Sequence, residues 1–239
     1  GKIMKTYYVT PSDITFLWSD CPRCFYRKVA LGIQRPSGIF PKIFNRIDRA
    51  MKDCYVGKNL RDFSPDFPEA TISYPDQWVQ SKPLVVTGKD IQIVLRGKID
   101  GLLTYKELGA DGKPITGVPD FKTSEVDDNV TPMYGLALHT YVYCLENPAD
   151  GEFRANNVDK MGLIVFEPSS YEHEPNQEPK LNGTHYWVEF EKDMDSFKTW
   201  MKTLARVLSN DDVPDATANC GYCNLLERQL QKTEKTSVA

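Results

Sequence analysis

Asp100, Asp120 and Lys122 are the residues whose types and spacing point most directly to chemistry. They stand in the segments "GKIDG" and "PDFKTS". Residues two apart on a β-strand share a face. Asp120 and Lys122 would therefore point the same way, with Phe121 turned into a core. The turn signal Asp111-Gly112 lies between Asp100 and Asp120, so two adjacent strands can bring all three groups to one sheet edge. Two carboxylates hold Mg²⁺ or Mn²⁺ through hard oxygens and leave positions for water and a phosphate. An ammonium beside them can orient or deprotonate an attacking water and balance charge in the transition state. Phosphodiester hydrolysis needs those groups. An isolated Asp-x-Lys is also the pattern of a surface ion pair, worth ~0–1 kcal/mol, so the flanking elements must decide.

A second constellation consists of two C-x-x-C pairs, Cys21/Cys24 and Cys220/Cys223. Paired thiolates at that spacing form half of a tetrahedral metal site, and iron–sulfur clusters also take four thiolates. Either centre would tie the start of the fold to its end, and losing it should destabilise the domain. Spacing alone does not choose between zinc and iron. Cys54 and Cys144 fall on apolar helix faces and are expected in the core. His139, His173 and His185 are scattered and read as structural or exposed.

The elements that must position these groups follow from periodicity. "TPSD" can cap a helix running through "ITFLWSDCPRCFYRKVAL", with Gly32 ending it. "RPSGIFP" reads as a loop. "KIFNRIDRAMKDCYV" is an amphipathic helix whose apolar stripe is Ile43, Ile47, Ala50, Met51 and Cys54, with Asp48 at its edge. The stretch from Arg61 to Pro83, rich in Pro and aromatics, reads as irregular with room for short strands. "DIQIVLRGKIDGLLTY" reads as one long strand, with Gln92, Arg96, Lys98 and Asp100 on one face. "ITGVPDFKTS" is its partner. "MYGLALHTYVYCLE" is a helix, "DKMGLIVFEP" and "THYWVEFEKD" are strands, and "MDSFKTWMKTLARVLS" is a helix presenting Phe197, Met201, Leu204 and Leu208. Residues 229–239 read as a frayed polar tail. The pattern predicts a single α/β domain over residues 1–239, core about 10–228, with a central mixed β-sheet flanked by helices.

Bulk properties bound the function. The 239 residues are 41% hydrophobic and 26% charged, with net charge −4. The overall charge is not that of a nucleic-acid binder, but basic residues crowd the N-terminal region, where Arg23, Arg27 and Lys28 could track a phosphate backbone. No run of ~18 apolar residues exists, and no apolar leader segment is visible. The expectation is a cytoplasmic protein with no membrane partner.

"GKIDG" followed by "PDFKTS" resembles the core of the PD-(D/E)XK nuclease superfamily. "YGLALHTYVYCLE" is similar to the helix on which RecB-like members carry Gln-x-x-x-Tyr; Tyr141 matches the Tyr and Ala137 stands at the Gln position. "IFNRIDRAMK" resembles the helix supplying a further metal ligand, with Asp48 as the match. "CPRCFYRK" resembles the entry of the iron–sulfur nucleases of AddB type and of CRISPR adaptation, although those place one Cys early and three late. The resemblance spans roughly Ser12 to Glu227. It implies a restriction-endonuclease-like core and a Mg²⁺- or Mn²⁺-dependent deoxyribonuclease. Asp48, Asp100, Asp120 and the backbone carbonyl of Phe121 would bind the metal, Lys122 would position the water, and Tyr141 would touch substrate. It favours a [4Fe–4S] cluster at the four cysteines, with Zn²⁺ as the alternative. The implied partner is DNA, single-stranded or at duplex ends, alongside helicase or CRISPR-adaptation proteins. The chain carries no G-x-x-x-x-G-K-[ST] phosphate loop of its own. Ala137 and the acidic charge motivate a rival reading, a non-catalytic nucleic-acid-binding or assembly subunit. A redox-sensing metalloprotein is a third.

Overall fold

The structure is a computed structural model that describes residues 4–36, 38, 41–86, 88–124 and 131–237. The loop expected at 35–41 and the polar tail lie partly outside these residues. The described chain is α/β, with two mixed sheets and flanking helices. The first sheet sets β5 (Ile91–Ile99) between β1 (Lys5–Val9) and β3 (Gln77–Gln80), with the short β4 (Leu84–Val85) also on β5. β1 runs parallel to β5, and β3 and β4 run antiparallel. The second sheet has the order β2 (Ala70–Ser73), β6 (Leu102–Leu108), β7 (Pro114–Thr123), β8 (Val158–Glu172), β9 (Lys180–Phe190). Only the β7–β8 pair in it is parallel.

Two sheets replace the one central sheet expected. The long strand read from Ile91 to Tyr105 breaks at Asp100-Gly101, where β5 leaves the first sheet and β6 enters the second. A Cβ on Gly101 would sit 2.8 Å from Ile72 Cγ1. Glycine therefore lets β2 close against the junction. The strand period is unbroken across this point, which is why periodicity alone reads one strand.

The expected first helix is also two pieces. A π-helical turn (Asp13–Trp18) precedes α1 (Pro22–Leu31), which starts with Pro22 at its first position. Gly32, at φ 69°, ends α1 as expected. The buried Asp13 accepts from the Thr10 N–H at 2.9 Å and pairs with Lys28. α2 (Lys42–Tyr55) forms as expected, but its inner face is rotated. Ile43, Ala50 and Cys54 are exposed, while Lys52 is buried beside half-buried Asp48, Met51 and Tyr55. Cys54 is thus a surface thiol, whereas Cys144 is in the core as expected.

α3 (Thr131–Glu146) is apolar nearly all round and packs against β5 and β7. α4 (Met194–Leu208) buries Phe197, Met201, Leu204 and Leu208. Together with β1, β5 and α1, these residues form the main core. A smaller cluster of Leu60, Phe67, Ile72, Leu103, Phe121 and Ile164 sits beneath Met51 and Tyr55 of α2. Phe121 points inward as predicted, its ring parallel to that of Tyr55 at 6.1 Å. The tail read as frayed is instead helical: α5 runs from Gly221 to Ser237.

Candidate active site and metal centre

Asp100, Asp120 and Lys122 converge on one cavity of about 600 Å³ between α2, α3 and the ends of β5 and β7. Asp48, Asp76, Lys52, Lys98 and Tyr134 line the same cavity. Its geometry begins with the β5–β6 break. Leu103↔Gly117 is the β6–β7 pair nearest Asp100, where that ladder ends. Asp100 takes over there. Its Oδ2 accepts the Phe121 N–H at 2.8 Å, so the carboxylate continues the ladder where the strand has stopped. Lys122 Nζ lies 2.7 Å from Asp120 Oδ2 and 5.1 Å from the Tyr134 ring centre.

Sequence reasoning missed two residues of this site. Lys52 Nζ sits 2.9 Å from Asp48, 3.0 Å from Asp76 and 2.8 Å from Asp100. Three carboxylates therefore meet on one buried ammonium. The signal for Lys52 was present, because it lies one helical turn after Asp48 and so on the same face. Asp76 comes from the turn between β2 and β3, at φ 54°, and is also held by Arg49 at 2.8 Å. No periodicity points to it. Asp tolerates that left-handed backbone better than most residues.

The electrostatics separate the two central carboxyls. Burial pushes the Asp120 carboxyl up to about 7, and the neighbouring Asp100 adds to this against the pull of Lys122. Burial acts on Asp100 in the same direction. A hydrogen bond from Asp120, the Lys52 ammonium and the Phe121 N–H outweigh it, and Asp100 ends below its ordinary value. Two like charges in one dry site titrate apart. Below about pH 7, Asp120 can hold a proton and donate it to Asp100. Burial would lower Lys52 and Lys122, but their carboxylate partners outweigh it and hold both above the ordinary lysine value. Both stay charged at neutral pH.

Tyr141 stands behind the cavity and not in its lining. Its hydroxyl donates to the Lys98 carbonyl at 3.0 Å. Ala137 is buried on the same helix. Arg23 and Lys28 are engaged within the protein. Arg23 Nε donates to the Pro214 carbonyl at 2.9 Å and its guanidinium pairs with Glu227, while Lys28 pairs with Asp13. Neither they nor Arg27 line the cavity. His139 is a buried structural group, its Nε2 accepting the Asp193 N–H at 2.9 Å.

Cys21, Cys24, Cys220 and Cys223 form a separate buried cluster whose four Sγ atoms lie within 4.8 Å of one another. Cys24 is 3.7 Å from both Cys220 and Cys223, and Cys21 is 3.9 Å from Cys223. Each C-x-x-C pair opens a helix, α1 or α5, so backbone N–H groups face the sulfurs. Burial works against the Cys21 thiolate, but the amides of Cys24 and Thr217 and the neighbouring thiols outweigh it and bring Cys21 down to about 7. Burial raises Cys24 to about 11 and raises Cys223 as well. Cys21 is thus the thiol nearest to ionising at neutral pH, and a bound cation would favour loss of the protons on the raised thiols of Cys24 and Cys223. Four buried sulfurs this close can bind metal. The ion pairs of Arg23 close the C-terminal segment over them.

Among the described residues, no helix is long and apolar enough to cross a membrane. No family model and no curated protein matches the sequence.

Proposed function

We propose that this chain is a Mg²⁺- or Mn²⁺-dependent nuclease of the PD-(D/E)XK type, hydrolysing DNA phosphodiester bonds at ends or in single strands. The observation that carries the reading is the convergence of Asp100, Asp120 and Lys122 on one cavity faced by Asp48. Asp100, Asp120 and Asp48 would hold the metal, with the Phe121 carbonyl as a further oxygen. A bound metal would polarise the phosphate and lower the pKa of its water. Lys122, fixed against Asp120, orients the attacking water and balances charge on the phosphate. Asp100 fixes the backbone of β7 at Phe121 and so sets where Asp120 and Lys122 point. Tyr141 acts by holding the Lys98 carbonyl. The test is hydrolysis of end-labelled single- and double-stranded DNA with Mn²⁺ or Mg²⁺ by wild type and Lys122→Ala, both checked for folding. Cutting by wild type that Lys122→Ala abolishes supports the reading. No cutting by folded wild type overturns it.

The Lys52 ammonium favours a second reading, a non-catalytic nucleic-acid-binding or assembly subunit. It fills the point where Asp48, Asp76 and Asp100 converge and neutralises them without a metal. Calorimetry with Mn²⁺ separates the two readings, since a catalytic chain must bind the ion despite Lys52.

At the cysteines we propose zinc over [4Fe–4S]. Four thiolates at Zn–S ≈ 2.3 Å occupy tetrahedron corners roughly 3.8 Å apart. Three of the six separations, at 3.7–3.9 Å, match that edge, and all six lie within 4.8 Å. A cubane of irons and sulfides needs its thiolates spread more widely. One zinc per chain and no acid-labile sulfide, in protein purified without oxygen, is the expected result. Stoichiometric iron and sulfide would refute it.

A further inference from the structure

The exposed face of the first sheet carries a ridge with no role in the cavity's chemistry. Cross-strand pairing puts Trp78 of β3 beside Lys98 of β5, and Tyr8 of β1 beside Val94. Residues 94, 96 and 98 share a face, so Tyr8, Arg96, Lys98 and Trp78 form one diagonal row. The Arg96 guanidinium lies 4.4 Å from the Tyr8 ring centre, and Lys98 Nζ lies 5.7 Å from that of Trp78. Tyr8 is 46% exposed and Trp78 64%, high for rings of that size. No ion pair of Arg96 or Lys98 with a carboxylate occurs among the described residues. In a chain of net charge −4, two such cations between two exposed rings stand out. Lys98 also lines the cavity that holds Asp100 and Asp120, so the row runs into its mouth.

We propose that this row, Tyr8–Arg96–Lys98–Trp78, is a binding platform for an extended single strand of nucleic acid and leads it into the cavity. The inference rests on the nuclease reading for what happens at the end of the track, but binding to the row does not depend on cutting. The chemistry of the row selects the ligand. Exposed aromatic faces take stacked bases whatever their sequence, and the cations between them take the phosphates. The span from Val94 to Lys98 is about 13 Å at strand rise, room for two or three bases, as on other sheet platforms. In a duplex the base faces are already stacked on one another, so rings this far apart on a flat sheet select a single strand.

The test measures binding of a fluorescein-labelled, mixed-sequence single-stranded DNA 12-mer by anisotropy, in EDTA so that nothing is cut. A duplex of the same sequence is the comparison. Wild type should prefer the single strand. Trp78→Ala should weaken binding about 5- to 100-fold, and Trp78→Phe should restore most of it. Arg96→Ala with Lys98→Ala should reduce the slope of log affinity against log salt by about 1.4. Tyr171→Ala, which removes an exposed ring on β8 of the other sheet, should bind as wild type does. These positions are exposed, and unchanged melting temperatures establish that the variants fold. Wild-type affinity in Trp78→Ala, or equal binding of duplex and single strand, would overturn the proposal. Cutting that ignores the row sinks the platform alone, and row-dependent binding without cutting sinks the nuclease reading alone.

Discussion

Asp120→Asn should make the protein more stable above neutral pH and leave its stability unchanged in acid. Burial and Asp100 raise the Asp120 carboxyl from its ordinary 3.8 to about 7. The folded state therefore holds a proton that the unfolded state has already lost between those values. Wherever the folded state binds more protons, stability falls as pH rises. Wild type should lose stability across pH 4–7 from this group and level off above it. At roughly 1.36 kcal/mol per pH unit, the interval sets a ceiling of about 4 kcal/mol. Water entering the open side of the cavity and the Lys122 pair reduce this to about 1–3 kcal/mol. The amide suits the site, since its NH₂ can still donate to Asp100 and its oxygen can accept from Lys122. The assay is urea unfolding of both proteins in EDTA at pH 4.5, 6 and 8. The two curves should coincide at pH 4.5 and diverge by pH 8, with the variant the more stable. Parallel curves, or a variant less stable at pH 8, would refute the argument that Asp120 is held protonated by its surroundings.

Three further outcomes follow from the same geometry. Lys52→Gln leaves Asp48, Asp76 and Asp100 facing one another, so urea unfolding in EDTA should show a loss of about 3 kcal/mol. Millimolar Mn²⁺ should recover most of it, whereas an unmoved midpoint would show that Lys52 carries no such load. A strong chelator, or Cys24→Ser, should release the zinc proposed for the cysteine centre. The Cys24–Cys223 link joins residues 199 apart, so losing the cross-link costs up to about 5 kcal/mol by chain entropy, read as a fall in melting temperature. Tyr141→Phe removes only the hydrogen bond to the Lys98 carbonyl, worth about 1 kcal/mol. Its thermal midpoint should drop by a few degrees, with Mn²⁺ affinity unchanged by calorimetry.

The grouping of the polar and cysteine side chains was more legible than the frame around it. Asp100, Asp120 and Lys122 could be placed together because a hairpin converts a sequence interval into a spatial one. The two C-x-x-C pairs carry their own geometry and meet as their spacing suggests. α4 could be read because its apolar spacing keeps a helical period over the whole element. β1 was missed because five residues, "KTYYV", are too few for a period to show against their neighbours. The sheet switch at Asp100-Gly101 was missed because side-chain alternation continues through it. α2 was assigned the wrong inner face because the rule that apolar residues go inward fails where a charged residue is paid for by three partners. Lys52 is buried by Asp48, Asp76 and Asp100, and only the last two elements of that set, folded against α2, make its burial affordable.

That same exception sets how the cavity meets a cation. Asp48, Asp76 and Asp100 face Lys52 and Arg49, while Asp120, raised to about 7, lies beside Lys122. Carboxylates and cations are close to balanced without any ion added. A divalent cation held by Asp100 and Asp120 would have to compete with any proton on Asp120 and with the Lys52 ammonium on Asp100. Both competitors weaken binding relative to an open carboxylate pair, and the proton makes it weaker still as pH falls below about 7. An incoming phosphate, on the proposed nuclease reading, would change the balance, because its negative charge would offer Lys122 and Lys52 a new partner. On the proposed nuclease reading, the arrangement would favour metal bound together with a phosphodiester over metal bound alone, and Asp76, already 3.0 Å from Lys52, would keep that ammonium paired if it left Asp100.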